Sequence, residues 1–364
     1  MDRRGFIGIG AAAVGVFASS LSAESQEQGM KVAVLTQTGG AHLSLYFQSL
    51  KKIPEVTSVV LGDPDEANAA EAKEILGDKL AGVYRSHEEL LKKERPPFAL
   101  VSMEAKWAPG TIRLALEHDC HVLAEKPACV RAEDFEYVVK LAEQKKLNLM
   151  LALANRLNPE ILEAKRLIEA GDIGKIYGVE MHLIQDQTRL GSPDYQKSWF
   201  ADRKRAGGGH LTWLGIHWLD LSMYITGSDI VDSAGFTTNI GGENINIEDS
   251  AAVALRYSNG ALGTLTSGYY LDKGYHTRLR IWGSKGWLSI DTGEKPTLRV
   301  YRNGITKSVE GDVTADRGSH DAYTAFVRAG ILASLGKAPP PITGPECLRV
   351  LRVLYNIYHN EKKG

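Results

Sequence analysis

Two short stretches carry residue types that can do chemistry together. The first is Cys120-His121-Val122-Leu123-Ala124-Glu125-Lys126-Pro127, an apolar run of strand type that stops at an acid, a base and a proline. In an open α/β sheet, ligands gather beyond the carboxyl ends of the strands, so a lysine at that point is placed to meet one. Pro127 restricts Lys126 to extended backbone, which fixes where its ammonium points, and the bond between them is one that admits the cis form. The plainer reading is a strand end with a surface ion pair. The second stretch is Gly207-Gly-Gly-His-Leu-Thr-Trp-Leu-Gly-Ile-His217-Trp-Leu-Asp220. Helical spacing sets His210, Trp213 or Leu214, and His217 along one face, with Asp220 a turn further on. The glycine triplet lets the start of that helix approach a ligand closely. Imidazole titrates near neutral pH and suits proton transfer, although a histidine on a helix is more often structural. His210, His217 and Asp220 lack metal-ligand spacing, so no metal is expected.

The elements that must position these groups read as two domains. Lys31 to Thr36 is a buried strand, followed by the turn Thr36-Gln37-Thr38-Gly39-Gly40-Ala41 and a helix from Ala41 to Lys52. Gly39 and Gly40, with the hydroxyls of Thr36 and Thr38, can cradle a phosphate at that helix start. A second strand, Val56 to Gly62, ends at Asp63. An acid there can accept ribose hydroxyls and favours NAD over NADP, or it can serve the Asp-Pro-Asp turn as a cap. Strands at Phe98–Met103, Val122–Ala124 and Leu147–Leu153 alternate with helices at Glu66–Leu76, Pro109–His118 and Asp134–Lys145. Alternation in units of about thirty residues implies a doubly wound parallel sheet, a Rossmann-like α/β domain. Past the crossover Asn155-Arg156-Leu157-Asn158-Pro159, long alternating runs follow at Ser250–Tyr257, Gly263–Tyr270, Thr277–Trp282 and Leu298–Tyr301. They imply an α+β domain with a large, mostly antiparallel open sheet, closed by a helix from Gly344 to His359. The expected division is 1–29, 30–153 and 154–364.

The 364 residues, 43% hydrophobic and 24% charged, suffice for two domains with a proper core. A formal net charge of −1 speaks against a nucleic-acid partner. Cys120, Cys129 and Cys347 form neither a disulfide framework nor a metal motif. Arg3-Arg4-Gly5-Phe6-Ile7, an apolar run to Ala18 and small residues to Ala23 read as a secretory leader. The arginine pair followed by Phe resembles a twin-arginine signal, with a Sec signal or an uncleaved anchor as the alternatives. A periplasmic address follows, with membrane contact only during export.

The run Leu114 to Pro127 resembles the signature of the Gfo/Idh/MocA oxidoreductases, which include glucose–fructose oxidoreductase and inositol dehydrogenase. The resemblance extends through the crossover, where Arg156 and Pro159 fit an Arg-x-x-Pro, to Gly215-Ile-His217-Trp-Leu-Asp220, which fits Gly-x-His-x-x-Asp. It implies that Lys126 lies between nicotinamide and substrate, orienting and polarising the substrate oxygen. It implies that His217, with His210 as a possible helper, handles the proton of the alcohol being oxidised. Three features depart from the family. The glycine fingerprint is worn, the residues after Met103 differ, and the acid one turn before the catalytic His is Trp213, which can stack on a pyranose. The implied protein is an exported, NAD- or NADP-dependent dehydrogenase of a sugar, glycoside or cyclitol, homo-oligomeric through its C-terminal sheet. Cofactor contacts fall to Thr36, Thr38, Gly39, Gly40, Asp63, Glu125 and Lys126, and substrate contacts to Arg156, Trp213, Asp202 and Arg203. Trp199, Tyr269, Tyr270 and His276 are further candidates. Alternatives are an NAD-dependent, redox-neutral glycoside hydrolase or lyase, and a sugar-binding protein that lost its dinucleotide.

Overall fold

The computed structural model describes residues 29–271, 273–292, 297–303 and 321–360. The expected leader lies outside them, and among them no helix is long and apolar enough to cross a membrane.

The first domain runs β1 (Met30–Thr36), α1 (Leu43–Lys52), β2 (Val56–Gly62), α2 (Ala69–Leu76), β3 (Leu80–Tyr84) and α3 (His87–Glu94). It continues with β4 (Phe98–Ser102), α4 (Ala108–Glu117), β5 (His121–Ala124), α5 (Ala132–Lys145) and β6 (Leu149–Leu151). The six strands pair in parallel in the order β3-β2-β1-β4-β5-β6. Helices cover both faces, so central strands are apolar throughout; Val32, Ala33, Val34 and Leu35 of β1 are all fully buried. Strand order reverses between β1 and β4, and the carboxyl ends of β1, β4 and β5 border the crevice that such a reversal leaves.

A 3-10 turn at Ala154–Leu157 carries the chain into α6 (Pro159–Glu169), β7 (Ile176–Asp186), α7 (Pro193–Lys197), α8 (Arg203–Ala206) and α9 (Ile216–Thr226). Then come β8 (Ile230–Thr238), β9 (Ser250–Tyr257), β10 (Leu262–Leu271), β11 (Tyr275–Gly283), β12 (Gly286–Asp291) and β13 (Leu298–Arg302). These make a seven-stranded sheet, β13-β12-β11-β7-β10-β9-β8, antiparallel except where β10 runs parallel to β7. Alternation puts Val253, Leu255, Leu265, Leu279 and Ile281 on the buried face with Ile216 and Leu219 of α9.

The last helices, α10 (Ala322–Ser334) and α11 (Gly344–His359), return to the first domain. Thr324 donates to Ser49 on α1, Arg328 pairs with Glu55, and the Leu151 amide of β6 donates to Cys347 Sγ. A capping box between Thr343 and Glu346 starts α11. The three thiols are buried and free.

Arg156 is not the substrate residue expected of it. Its guanidinium is buried and forks onto both oxygens of Asp220 on α9, at 2.7 to 3.1 Å, while Nη1 reaches Glu346 on α11 at 2.9 Å. A buried carboxylate without such a partner is expensive, so this arginine pins crossover, α9 and α11 together.

Candidate active site

The end of β5 and the approach to α9 meet at one cavity of about 710 Å³. Lys126 and His217 both line it, as do Trp213 and Gly40. Lys126 is joined to Pro127 by a cis peptide bond and is almost wholly buried. Its Nζ donates to the Trp213 carbonyl at 2.6 Å and stands 4.1 Å from the centre of the Trp213 ring. Burial, against the pull of Glu125 and with the added push of Arg189, brings its pKa down to about 8.

Glu125 does not face the cavity. One oxygen takes the Tyr46 hydroxyl and lies 3.2 Å from His42 Nδ1; the other accepts the Lys126 amide at 3.1 Å. Burial alone would raise its pKa, but His42, Lys126 and the Tyr46 hydroxyl outweigh it and hold the carboxyl low. It supports Lys126 from behind rather than reaching for a cofactor.

Residues Leu211–Gly215 form a π-helical turn before α9. The wider turn breaks the helical spacing that put His210 and His217 on one face, and their fates differ. His217 lines the cavity with its Nδ1 buried and unpartnered. Burial and the nearby Lys126 push its pKa down to about 3, so the ring is neutral across the physiological range. His210 is fully buried, hydrogen-bonded to Ser267 and edge-on to Tyr269, and it does not line the cavity. Its expected catalytic role is therefore withdrawn. The glycine triplet is also explained by protein rather than ligand. A Cβ on Gly209 would meet the Glu248 backbone oxygen at 1.9 Å, and Glu248 accepts the amides of Gly209 and Leu211.

In the glycine turn, the Thr36 hydroxyl donates to the Ser102 carbonyl at 2.8 Å, and the exposed Thr38 hydroxyl donates to Asp65. Neither has a proton left for a phosphate, so both expected hydroxyl contacts are corrected. Gly39 has φ +76°, and a Cβ on Gly40 would lie 2.2 Å from Thr36 Oγ1. No side chain caps α1, which leaves its first amides to an anion. Asp63 fills the turn role: Oδ2 accepts the Asn68 amide at 2.7 Å, while Oδ1 is buried without a partner. An uncapped helix start and an orphaned carboxylate oxygen at the ends of the neighbouring strands β1 and β2 fit the pyrophosphate and ribose of a dinucleotide.

Asp202 caps α8 through the Lys204 amide, and Arg203 lies 4.6 Å over the Tyr358 ring; neither lines the cavity. Tyr270 and His276 do not line it either, whereas Tyr269 does. Trp199 packs behind, its indole donating to the Gly39 carbonyl at 2.9 Å and its ring tilted against Trp213. Sequence reasoning missed several of the wall's residues: His42, Gln185, Arg189, Trp218 and Tyr323. Four wall residues carry a buried polar atom with no protein partner, namely Gln185 Oε1, Trp213 Nε1, His217 Nδ1 and Trp218 Nε1. Orphaned groups of this kind are costly unless something bonds them. Two donors, an amide acceptor and an imidazole suit a ligand rich in hydroxyls.

Comparison with known proteins agrees with this architecture. The GFO/IDH/MocA oxidoreductase family, described as having an NAD-binding Rossmann fold, matches residues 5–153, and the GFO/IDH/MocA C-terminal domain matches residues 161–289. The chain is 24% identical over 316 residues to myo-inositol 2-dehydrogenase of Thermotoga maritima, covering 83% of this chain and 88% of that protein. It is 29% identical over 317 residues to dTDP-3,4-didehydro-2,6-dideoxy-alpha-D-glucose 3-reductase of Saccharopolyspora spinosa, covering 80% and 83%. Among solved structures, levoglucosan dehydrogenase in complex with NADH and levoglucosan superposes with a TM-score of 0.79 at 16% identity, over 92% of this chain and 97% of that one.

Proposed function

The chain belongs to the GFO/IDH/MocA oxidoreductase family, and from that premise we propose that it is a nicotinamide-dependent dehydrogenase of a secondary alcohol on a sugar or cyclitol. The observation that carries this reading is the meeting of Lys126 and His217 in the wall of one cavity, beside the glycine turn. The relatives named above act, by their names, on a cyclitol and on sugars, and the four orphaned polar atoms favour a polyol.

A bound nicotinamide would supply the hydride acceptor. The first amides of α1 would hold its pyrophosphate, and Asp63 Oδ1 a ribose hydroxyl, which favours NAD over NADP. An alcohol loses hydride from carbon only as its hydroxyl proton is withdrawn. Lys126, brought down to about 8, is the side chain whose neutral form is available near working pH to take that proton. The ammonium so formed keeps the Trp213 carbonyl and ring as partners. His217, held neutral, hydrogen-bonds the hydroxyl and sets its direction. This reverses the two roles that the resemblance implies. Export by the twin-arginine route remains part of the proposal and rests on Arg3-Arg4 and the apolar run behind them.

The test is to purify the mature chain without added cofactor, denature it, and identify any released dinucleotide by mass and absorbance. NAD(H) is the expected finding, either released or bound on titration, followed by reduction of NAD in the presence of polyols. A protein that binds neither NAD nor NADP would overturn the oxidoreductase reading.

A further inference from the structure

Among the described residues lining the cavity there is no aspartate or glutamate. Besides His42 and His217, it holds a lysine and an arginine, Lys126 and Arg189. Lys126 has Glu125 behind it, but Glu125 is already bound by Tyr46, His42 and the Lys126 amide. Arg189 follows β7, is exposed at the rim, and makes no ion pair among the described residues. Its nearest ring is Tyr269, with the guanidinium 5.8 Å from the centroid. Its charge reaches into the site, since it contributes to the lowered pKa of Lys126. Beside it in the fold stands Gln185, whose amide nitrogen donates to Tyr275 and whose Oε1 is an orphan. The wall therefore presents unbalanced positive charge at one end and orphaned hydroxyl partners along its length.

We propose that the substrate is an acidic sugar or cyclitol, a uronate or aldonate, whose carboxylate is received by Arg189 while Gln185, Trp213 and Trp218 bond its hydroxyls. This rests on the dehydrogenase reading of the same cavity. A guanidinium offers paired donors to a carboxylate, a geometry that a neutral hydroxyl cannot match. The carboxylate would be untouched by the reaction: one secondary alcohol would become a ketone, with a bound nicotinamide supplying the hydride acceptor and Lys126 taking the proton. A described wall without any acid also does nothing to repel such an anion, which is half of what specificity needs.

The test uses binding as well as turnover. Three tryptophans line or back the cavity, so quenching of intrinsic fluorescence can follow titration with D-glucuronate and D-galacturonate against D-glucose and D-galactose. The acids should bind about tenfold more tightly than their neutral counterparts, the size of one charged hydrogen-bonding contact. The ratio should fall towards one in Arg189→Met, recover in part in Arg189→Lys, and shrink as salt is raised. Equal affinities in the wild type, or a preference that survives Arg189→Met, would overturn the proposal. So would a variant whose weakened ligand is NAD rather than the uronate, because Arg189 would then serve the dinucleotide. Acid preference without any NAD reduction would sink the dehydrogenase reading alone. Turnover of neutral sugars without acid preference would sink this inference alone.

Discussion

Lys126 and His217 are both buried cations-in-waiting, and burial acts on each in the same direction with different consequences. Lowering a lysine from its ordinary value to about 8 brings it into range as a base; lowering a histidine to about 3 takes it out of range. The sign for oxidation follows directly. The base must be unprotonated, so kcat/KM should rise with pH, reach half its plateau near 8, and show no limb near 6.5. In the reductive direction Lys126 must be protonated, and the rate should instead fall as pH passes 8. An oxidative limb centred near 6.5 that vanished in His217→Asn would return the proton to the histidine. Lys126→Met should lower kcat by about 10²- to 10⁴-fold, the usual worth of general acid–base catalysis, while still binding dinucleotide. Unchanged turnover in that variant would remove Lys126 from the chemistry.

The elements explain why some of the site was legible in sequence and some was not. Lys126 was legible because the whole run from Leu114 to Pro127 resembles a family signature, since Glu-Lys-Pro alone also reads as a strand-end ion pair, and β1, β2 and β4 alternated with helices at regular intervals. The π turn at Leu211–Gly215 left no trace in its apolar sequence, so ideal helical spacing aligned two histidines that the wider turn separates. Arg156 was ambiguous for a different reason. Its ion-pair partners, Asp220 and Glu346, are 64 and 190 residues away, and a motif read locally cannot distinguish a ligand from a pin. Arg189 and Tyr323 lie on a loop and on α10, where neither period nor motif marks them. The pin is testable. Arg156→Met should destabilise by roughly 3–5 kcal/mol because it strands the buried Asp220 carboxylate, and Arg156→Met with Asp220→Leu should recover much of that loss. Denaturant midpoints measure both. A stable Arg156→Met enzyme with a raised KM would restore the arginine to the substrate.

At the scale of the molecule, the outward face of the seven-stranded sheet is divided. Towards β11 it is charged: Arg278 pairs with Asp291, and Arg280 stands in register with Glu180 of β7. Towards β8, β9 and β10, past the exposed Asp232–Arg256 pair, it carries small side chains, Ala234, Ala252, Ala254, Thr264 and Thr266, with Phe236 and Leu262 exposed at 62% and 60%. An antiparallel sheet can leave one face to water when that face is polar, and the middle of this half offers alanines, Phe236 and Leu262 rather than charge. Flat rows of small residues allow close sheet-to-sheet approach, and a contiguous exposed apolar patch marks an interaction surface. The inward face is already covered by α6, α9 and α11, and α10 is engaged with the first domain, so nothing else in the described chain can shield it. A second copy meeting the same face would bury Phe236 from both sides at once, the self-complementary contact of a two-fold dimer. Light scattering should therefore give at least a dimer. Phe236→Glu, which sets like charges opposite each other across that axis, should weaken association by about 2 kcal/mol or more without altering the fold seen by circular dichroism. Wild-type monomers, or an assembly indifferent to Phe236→Glu, would place the oligomer elsewhere or nowhere. Retained NAD reduction in the dissociated variant would show that the cavity is complete within one chain, as its lining by residues from both domains of a single protomer implies.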